Sequence, residues 1–174
     1  MEIDLFNTVF LSIGSNQGER LFNIEKTLKS IDEKVGDIYL KSPIYENPPI
    51  GFEAEMNFYN LCIGIKTKLN PHDLLLVIKQ IELEIGRNKK TLNRQYTSRV
   101  IDIDIIFFND IILESDDLNI PHLMFRKRNF VLKPLSDIAA KFIDPFTGFT
   151  VDYLQANCQD KSVLFIVEKQ KKKE

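Results

Sequence analysis

Two carboxylates stand two residues apart in the most apolar stretch of the chain. "SRVIDIDIIFFND", residues 98–110, sets Asp102 and Asp104 among isoleucine, valine and phenylalanine. That composition calls for a buried strand, where an unpaired carboxylate would cost several kcal/mol or take up a proton. Residues i and i+2 of a strand point the same way. Asp102 and Asp104 are therefore expected to share a face with Val100 and Ile106, with Ile101, Ile103, Ile105 and Phe107 on the opposite, core side. Carboxylates about 7 Å apart along a strand can converge on a pair of divalent cations, which lie about 3.5–4 Å apart in phosphoryl-transfer enzymes. Magnesium suits carboxylate and phosphate oxygens, and no His/Cys set nearby points to a softer metal. The alternative is a pair of surface acids on an amphipathic strand.

The residues just before the strand favour a polyphosphate. "GRNKKTLNRQYTSR", residues 86–99, carries Arg87, Lys89, Lys90, Arg94 and Arg99 and no acid. From Asp102 to Asp117 the balance reverses, with Asp102, Asp104, Asp110, Glu114, Asp116 and Asp117 and no base. Cations beside two metal-binding acids would neutralise a polyphosphate from both sides. The alternative is a solvated loop that pairs with neighbouring acids.

A second set of residues lies on "NFYNLCIGIKT", where period two puts Tyr59, Leu61, Ile63 and Ile65 on one face and Phe58, Asn60 and Cys62 on the other. The adjacent "ENPPIG" is stiffened by Pro48 and Pro49 and exposes backbone groups around Asn47 and Ile50. A ring, an amide and such a loop suit a flat heterocycle, unless another element covers this face. "PHLMFRKRNF" adds His122, Arg126, Lys127, Arg128 and the ring of Phe130.

These residues need elements to hold them. "TVFLSI" predicts a first strand, and Leu21, Ile24, Leu28 and Ile31 recur at helical spacing from Glu19 to about Lys34. "VGDIYLKSPIYE" predicts a second strand and "NFYNLCIGIKT" a third. "NPHDLLLVIKQIELEIG" is a helix with Asn70 as cap, Pro71 in the first turn, a Leu74/Ile78/Ile81/Ile85 stripe and Gly86 at its end. The aspartate strand follows, then a short helix from about Phe125 to Ile138. The order β-α-β-β-α-β predicts an α+β fold, a ferredoxin-like α/β sandwich with an antiparallel sheet, as a single domain with C-terminal additions. Residues 1–168 are expected to form that domain, and the basic 169–174 a disordered tail.

A chain of 174 residues can bury a sizeable core. Its net charge of −2 argues against a nucleic-acid partner. No apolar run approaches the roughly 20 residues a membrane span needs, and the acidic start lacks a signal-peptide pattern, so a cytoplasmic location is expected. Cys62 reads as a small buried hydrophobe, while Cys158 is indeterminate.

"SIGSN", "SPIYENPPIG", "FYNLCI", "IELEIGR", "SRVIDIDIIFF" and "IPHLMFRKRNFVLKPLSDIA" occur in this order from about Val9 to Ala139. Together they resemble the 6-hydroxymethyl-7,8-dihydropterin pyrophosphokinases of folate biosynthesis. The resemblance implies pyrophosphate transfer from ATP to the pterin's hydroxymethyl group, with release of AMP. It implies that Asp102 and Asp104 hold two Mg2+ ions on the ATP phosphates and that Arg87 and Arg99 act with them in catalysis. It places Asn47, Pro48, Pro49, Ile50, Phe58, Asn60 and Phe130 on the pterin, with the two phenylalanines sandwiching it. ATP contacts are implied for Glu82, Arg87, Lys89, Tyr96, Arg99, Ile105, His122 and Arg128. Tyr96 stands where the family commonly has tryptophan, and Leu123 replaces an aromatic residue. A monomer is expected.

Two other classes fit less well. Nucleotidyltransferases also pair a "GS" with a D-x-D, but about a dozen residues apart, whereas Asp102 lies 87 positions after Ser15. An RNA-binding ferredoxin-like module wants aromatic rings on a basic sheet face, and this strand carries two acids.

Overall fold

The second helix shows how local signals set the frame. Asn70 adopts extended backbone and its side chain accepts the N–H of Asp73 at 2.9 Å, the cap that opens α2 (Pro71–Ile85). Pro71 fits the first turn, where no N–H is needed. Gly86 closes the helix at φ 117°, and its N–H reaches Glu82 O and Leu83 O. A computed structural model describes residues 5–86 and 98–168 of the chain.

Before α2 come β1 (Asn7–Ser15), α1 (Arg20–Lys34), β2 (Gly36–Lys41), β3 (Tyr45–Asn47) and β4 (Phe58–Thr67). After it come β5 (Asp102–Phe108), a two-stranded β6 (Leu113–Glu114) and β7 (Asn119–Ile120) ribbon, and a 3-10 turn at Phe125–Lys127. α3 (Asn129–Ala139), α4 (Val151–Ala156) and β8 (Phe165–Ile166) complete the chain. The main sheet runs β5-β1-β4-β3-β8, with β2 also beside β4, and every pairing is antiparallel. This is the expected ferredoxin-like sandwich.

One sheet face packs on α1 and α2 through Leu11, Ile13, Leu61, Ile63, Ile78 and Ile81, all buried. The other face is half covered. α3 and α4 close a second core around Phe10, Phe107, Phe125 and Leu132, with Phe107 and Phe142 rings 4.6 Å apart. Cys62 belongs to this core, and burial pushes its thiol pKa up, so it serves as the buried hydrophobe expected of it. Cys158 is buried there too.

Three elements differ from expectation. The predicted second strand is two, because Pro43 lacks an N–H and the Ser42 hydroxyl accepts from Cys62 N at 3.0 Å, ending one ladder segment before the next begins. The predicted helix from Phe125 begins as a 3-10 turn, and Arg128 at φ −124°, ψ 103° separates it from α3. Phe107 was expected beside Ile101, Ile103 and Ile105, yet it packs with Ile106 in the second core, and Phe108 takes its place in the first. A β-bulge explains the switch. Leu11 pairs with Ile105 and Phe10 with Phe107, so Ile106 is the extra residue and alternation changes phase there.

The segment after α3 is anchored by a buried carboxylate. Asp144, whose side chain is 0% exposed, accepts Arg126 Nε at 2.6 Å and Nη2 at 2.9 Å, Phe146 N at 3.1 Å and the Thr147 hydroxyl at 2.7 Å. Burial alone would raise its pKa, and these donors outweigh it, holding the carboxyl below its ordinary value. Asp144→Asn should cost about 3 kcal/mol at pH 7, since it leaves Arg126 without its charge partner. A lowered carboxylate stabilises above its unfolded pKa and stops doing so as pH falls through the folded value. The gap between wild type and variant in urea unfolding should therefore narrow under acid conditions.

Candidate active site

The open half of the second sheet face has a floor of small residues. Gly14 lies between Asp102 on β5 and Asn60 on β4, and Ser12 lies between Asp104 and Cys62. Strands are spaced about 4.8 Å apart, so the register sets an acid and an amide roughly 10 Å apart, with almost no side chain between them. A Cβ on Gly14 would fall 2.5 Å from Asn60 Oδ1, so only glycine leaves this amide in place. Asn60 in turn donates to Asn47 Oδ1 at 2.6 Å, tying β4 to the start of the proline loop. Arg20 pins the loop's other end, donating to Asn57 O at 2.8 Å with its guanidinium 3.8 Å from the Tyr59 ring centre.

Two adjoining lobes rise from this floor. The first, about 550 Å³, is lined by Asn47, Ile50, Phe52, Phe58, Asn60 and Phe130 together with Arg99, Asp102, Asp104 and Arg128. It has the aromatic and amide character of a heterocycle site. The second, about 420 Å³, is lined by Glu82, Arg99, Asp102, Asp104, Ile105, His122 and Arg128 among others. Arg99, Asp102, Asp104, Met124 and Arg128 belong to both, so the acids and guanidinium groups stand at the junction.

The electrostatics of that junction favour a bound anion with its cation. Arg99 is only 9% exposed and its Nη1 has no hydrogen-bond partner among the described residues. A buried donor left unpaired costs about 1–3 kcal/mol, and a phosphate oxygen would satisfy it. Asn16 fixes the backbone beneath it, accepting Arg99 N–H at 2.6 Å and donating its own N–H to Arg99 O at 3.0 Å. Asp102 and Asp104 are partly exposed, facing the cleft. Among the described residues no three His, Cys, Asp or Glu side chains gather as a metal cage. Two carboxylates alone suit a hard cation that takes its remaining ligands from phosphate and water, as magnesium does.

Glu82, 4% exposed, accepts Ile103 N–H at 2.8 Å between the two aspartates. It thereby locks α2 to β5 as well as lining the second lobe. His122 Nδ1 accepts the N–H of Met124 at 3.1 Å, leaving Nε2 as the protonated nitrogen, 3.8 Å from Asp104 Oδ1. Burial, with Arg128 adding to it, lowers the His122 pKa to about 4, so the ring is neutral at pH 7.

The structure thus brings Asn47, Ile50, Phe58, Asn60, Arg99, Asp102, Asp104, Arg128 and Phe130 around one lobe, and Glu82, Ile105 and His122 to the next. Pro48 and Pro49 are in the loop but not on the walls. Arg87, Lys89 and Tyr96 lie outside the described residues. Residue-by-residue reading missed Gly14, Asn16, Phe52 and Asp160. "SIGSN" held the first two, and a glycine within an apolar strand was the available signal.

A half-covered antiparallel sandwich with paired carboxylates and a buried guanidinium at its open face defines a phosphoryl-transfer class of site. The chain belongs to the 7,8-dihydro-6-hydroxymethylpterin-pyrophosphokinase (HPPK) family, whose model matches residues 10–140. It is 38% identical over 138 residues to the 2-amino-4-hydroxy-6-hydroxymethyldihydropteridine pyrophosphokinase of Aquifex aeolicus, covering 79% of this chain and 84% of that one. It is 44% identical over 151 residues to the folic acid synthesis protein FOL1 of Dictyostelium discoideum, 87% of this chain but 22% of the relative's length. In fold it is similar to a Plasmodium falciparum HPPK-DHPS crystal structure, with TM-score 0.70 and 21% identity over 89% of this chain and 44% of the other.

Proposed function

We propose that the protein transfers pyrophosphate from ATP to the hydroxymethyl group of 6-hydroxymethyl-7,8-dihydropterin, yielding the pterin diphosphate and AMP in folate biosynthesis. The observation that supports the assignment of residues is the row Asp102–Gly14–Asn60, an acid and an amide side by side on one floor with only a glycine between them. The pterin lies in the first lobe, its edge on Asn60 and Asn47 and its faces between Phe58 and Phe130. ATP occupies the second lobe, and its phosphates reach the junction. Asp102 and Asp104 would hold two magnesium ions, which would supply positive charge to offset that on the phosphate oxygens. Arg99 and Arg128, which line both lobes, accompany the phosphates, and Arg87, Lys89 and Tyr96 contribute from the neighbouring stretch of sequence. The hydroxyl oxygen attacks the β-phosphorus, and the bond from that phosphorus to the oxygen shared with the α-phosphate breaks. AMP departs with that oxygen, and the hydroxyl proton passes to solvent. His122, neutral, donates from Nε2 rather than acting as a base.

Residues 1–168 act as one pyrophosphokinase domain. A monomer in the cytoplasm is the proposed working form. No described helix is long and apolar enough to cross a membrane. The RNA-binding alternative finds no support in the comparisons, where the matching family and several relatives are pyrophosphokinases.

Separating nucleotides after incubation with magnesium, ATP and the hydroxymethyl dihydropterin tests the reaction. AMP should accumulate in step with the pterin diphosphate; ADP would place the attack at the γ-phosphorus and refute the proposal. Gly14→Ala should raise KM for the pterin about tenfold, because the new methyl displaces Asn60 from Asn47. Unchanged pterin kinetics in that variant would remove Asn60 from the pterin edge.

A further inference from the structure

The family match ends at residue 140, yet the chain beyond it returns to the cleft. Asp160 lines the first lobe. Its Oδ2 accepts the N–H of Asn129 at 2.9 Å, and its Oδ1 accepts the Ser162 N–H at 2.9 Å and the Ser162 hydroxyl. Asn129 is the first residue of α3, and the residues on either side of it, Arg128 and Phe130, both line the cleft. α3 has no side-chain cap of its own, because Arg128 occupies the cap position and makes no such bond. The first N–H groups of a helix have no partner within it. Here one is met from 31 positions away, by a carboxylate whose charge also suits the positive end of the helix. Asn129 is held further by its own side chain, which donates to Ser162 O and accepts from Gln155 Nε2, both at 3.3 Å. Every one of these partners lies in residues 155–162.

We infer that Asp160 is a positioning residue for the pterin lobe, fixing the first turn of α3 and with it Arg128 and Phe130. The inference rests on the pyrophosphokinase reading above. Phe130 sits one residue into the helix, so fraying by that residue releases the ring that closes the lobe. Misplacing a binding group by about 1 Å costs up to roughly 10²-fold.

The test combines calorimetric Kd for the hydroxymethyl dihydropterin with steady-state AMP release. Asp160→Ala should raise both the pterin Kd and its KM about tenfold, with a smaller fall in kcat at saturation as Arg128 shifts with the same turn. Asp160→Asn should recover most of the affinity, because the amide oxygen still accepts from Asn129. Asn129→Pro deletes the donor while suiting the first helical position, and should reproduce Asp160→Ala, with the double variant no weaker than either single. Should Asp160→Ala fail to fold, Asp160→Asn and Asn129→Pro decide the matter. Wild-type Kd in Asn129→Pro, equal losses in the Ala and Asn variants, or a loss confined to kcat would each overturn the assignment. Wild-type protein that binds the pterin but releases no AMP refutes the proposed reaction alone, since Kd still decides the role of Asp160. Wild-type protein that binds no pterin overturns both.

Discussion

Asp104→Ala protein is expected to fold with near wild-type stability and to release AMP roughly 10²–10³-fold more slowly. Both halves of that expectation come from where β5 puts the carboxylate. Asp104 stands opposite Ser12 on the open part of the sheet, partly exposed in the cleft, so truncating it opens no cavity in either core. Catalytically it has no understudy. Among the described residues Asp102 and Asp104 are the carboxylates common to both lobes, and removing one halves the proposed cation-binding pair. Thermal denaturation and AMP release on the same preparation measure the two effects. A fully active Asp104→Ala enzyme would remove the metal role from this residue, and a protein that failed to fold would mean the carboxylate is a structural element of β5.

Arg99→Met carries the second large effect, with stability and activity moving in opposite directions. The guanidinium is almost fully buried, yet its Nη1 is unsatisfied among the described residues. Methionine fills similar space without the charge, so the resting protein should gain about 1 kcal/mol. Turnover should fall about 10²-fold, since the buried donor proposed to meet developing phosphate charge is lost. The backbone clamp from Asn16 survives the substitution because it uses only main-chain atoms of residue 99. Urea midpoints and AMP release measure the pair. A variant both less stable and slower would show that Arg99 is a packing residue first. The opposed signs are what a group kept for its ligand, at the expense of the fold, must produce.

Legibility followed the range of the interaction. The caps of α2 involve residues within three or four positions, so Asn70, Pro71 and Gly86 could be read directly. The split of β4, with Tyr59 and Leu61 on one side and Phe58 and Asn60 on the other, needs only period two. The assembled site was legible through the collinear motifs, and its face assignment agreed with periodicity. What escaped depends on a partner strand or a distant segment. Phe107 changes sides because Ile106 before it has no partner in β1, which nothing in β5 alone signals. Ser42 ends a strand by accepting from Cys62, twenty positions on. Asp160 looks like any loop acid until α3 is seen to lack a cap.

The extra residue in β5 has a consequence for how one strand can serve two masters. In strict alternation, Asp102 and Asp104 would commit Ile106 and then Phe108 to the same side, and Phe107 to the other. The insertion instead makes Ile106 and Phe107 consecutive contributors to the second core while the acids keep the open end. Polarity is thus graded along the length of a single strand, wet at its start and dry at its finish. Excising Ile106 would restore strict alternation, leaving Phe107 opposite Phe10 in the second core and Phe108 opposite Val9 in the first, and would remove only the extra apolar side chain that Ile106 gives the second core.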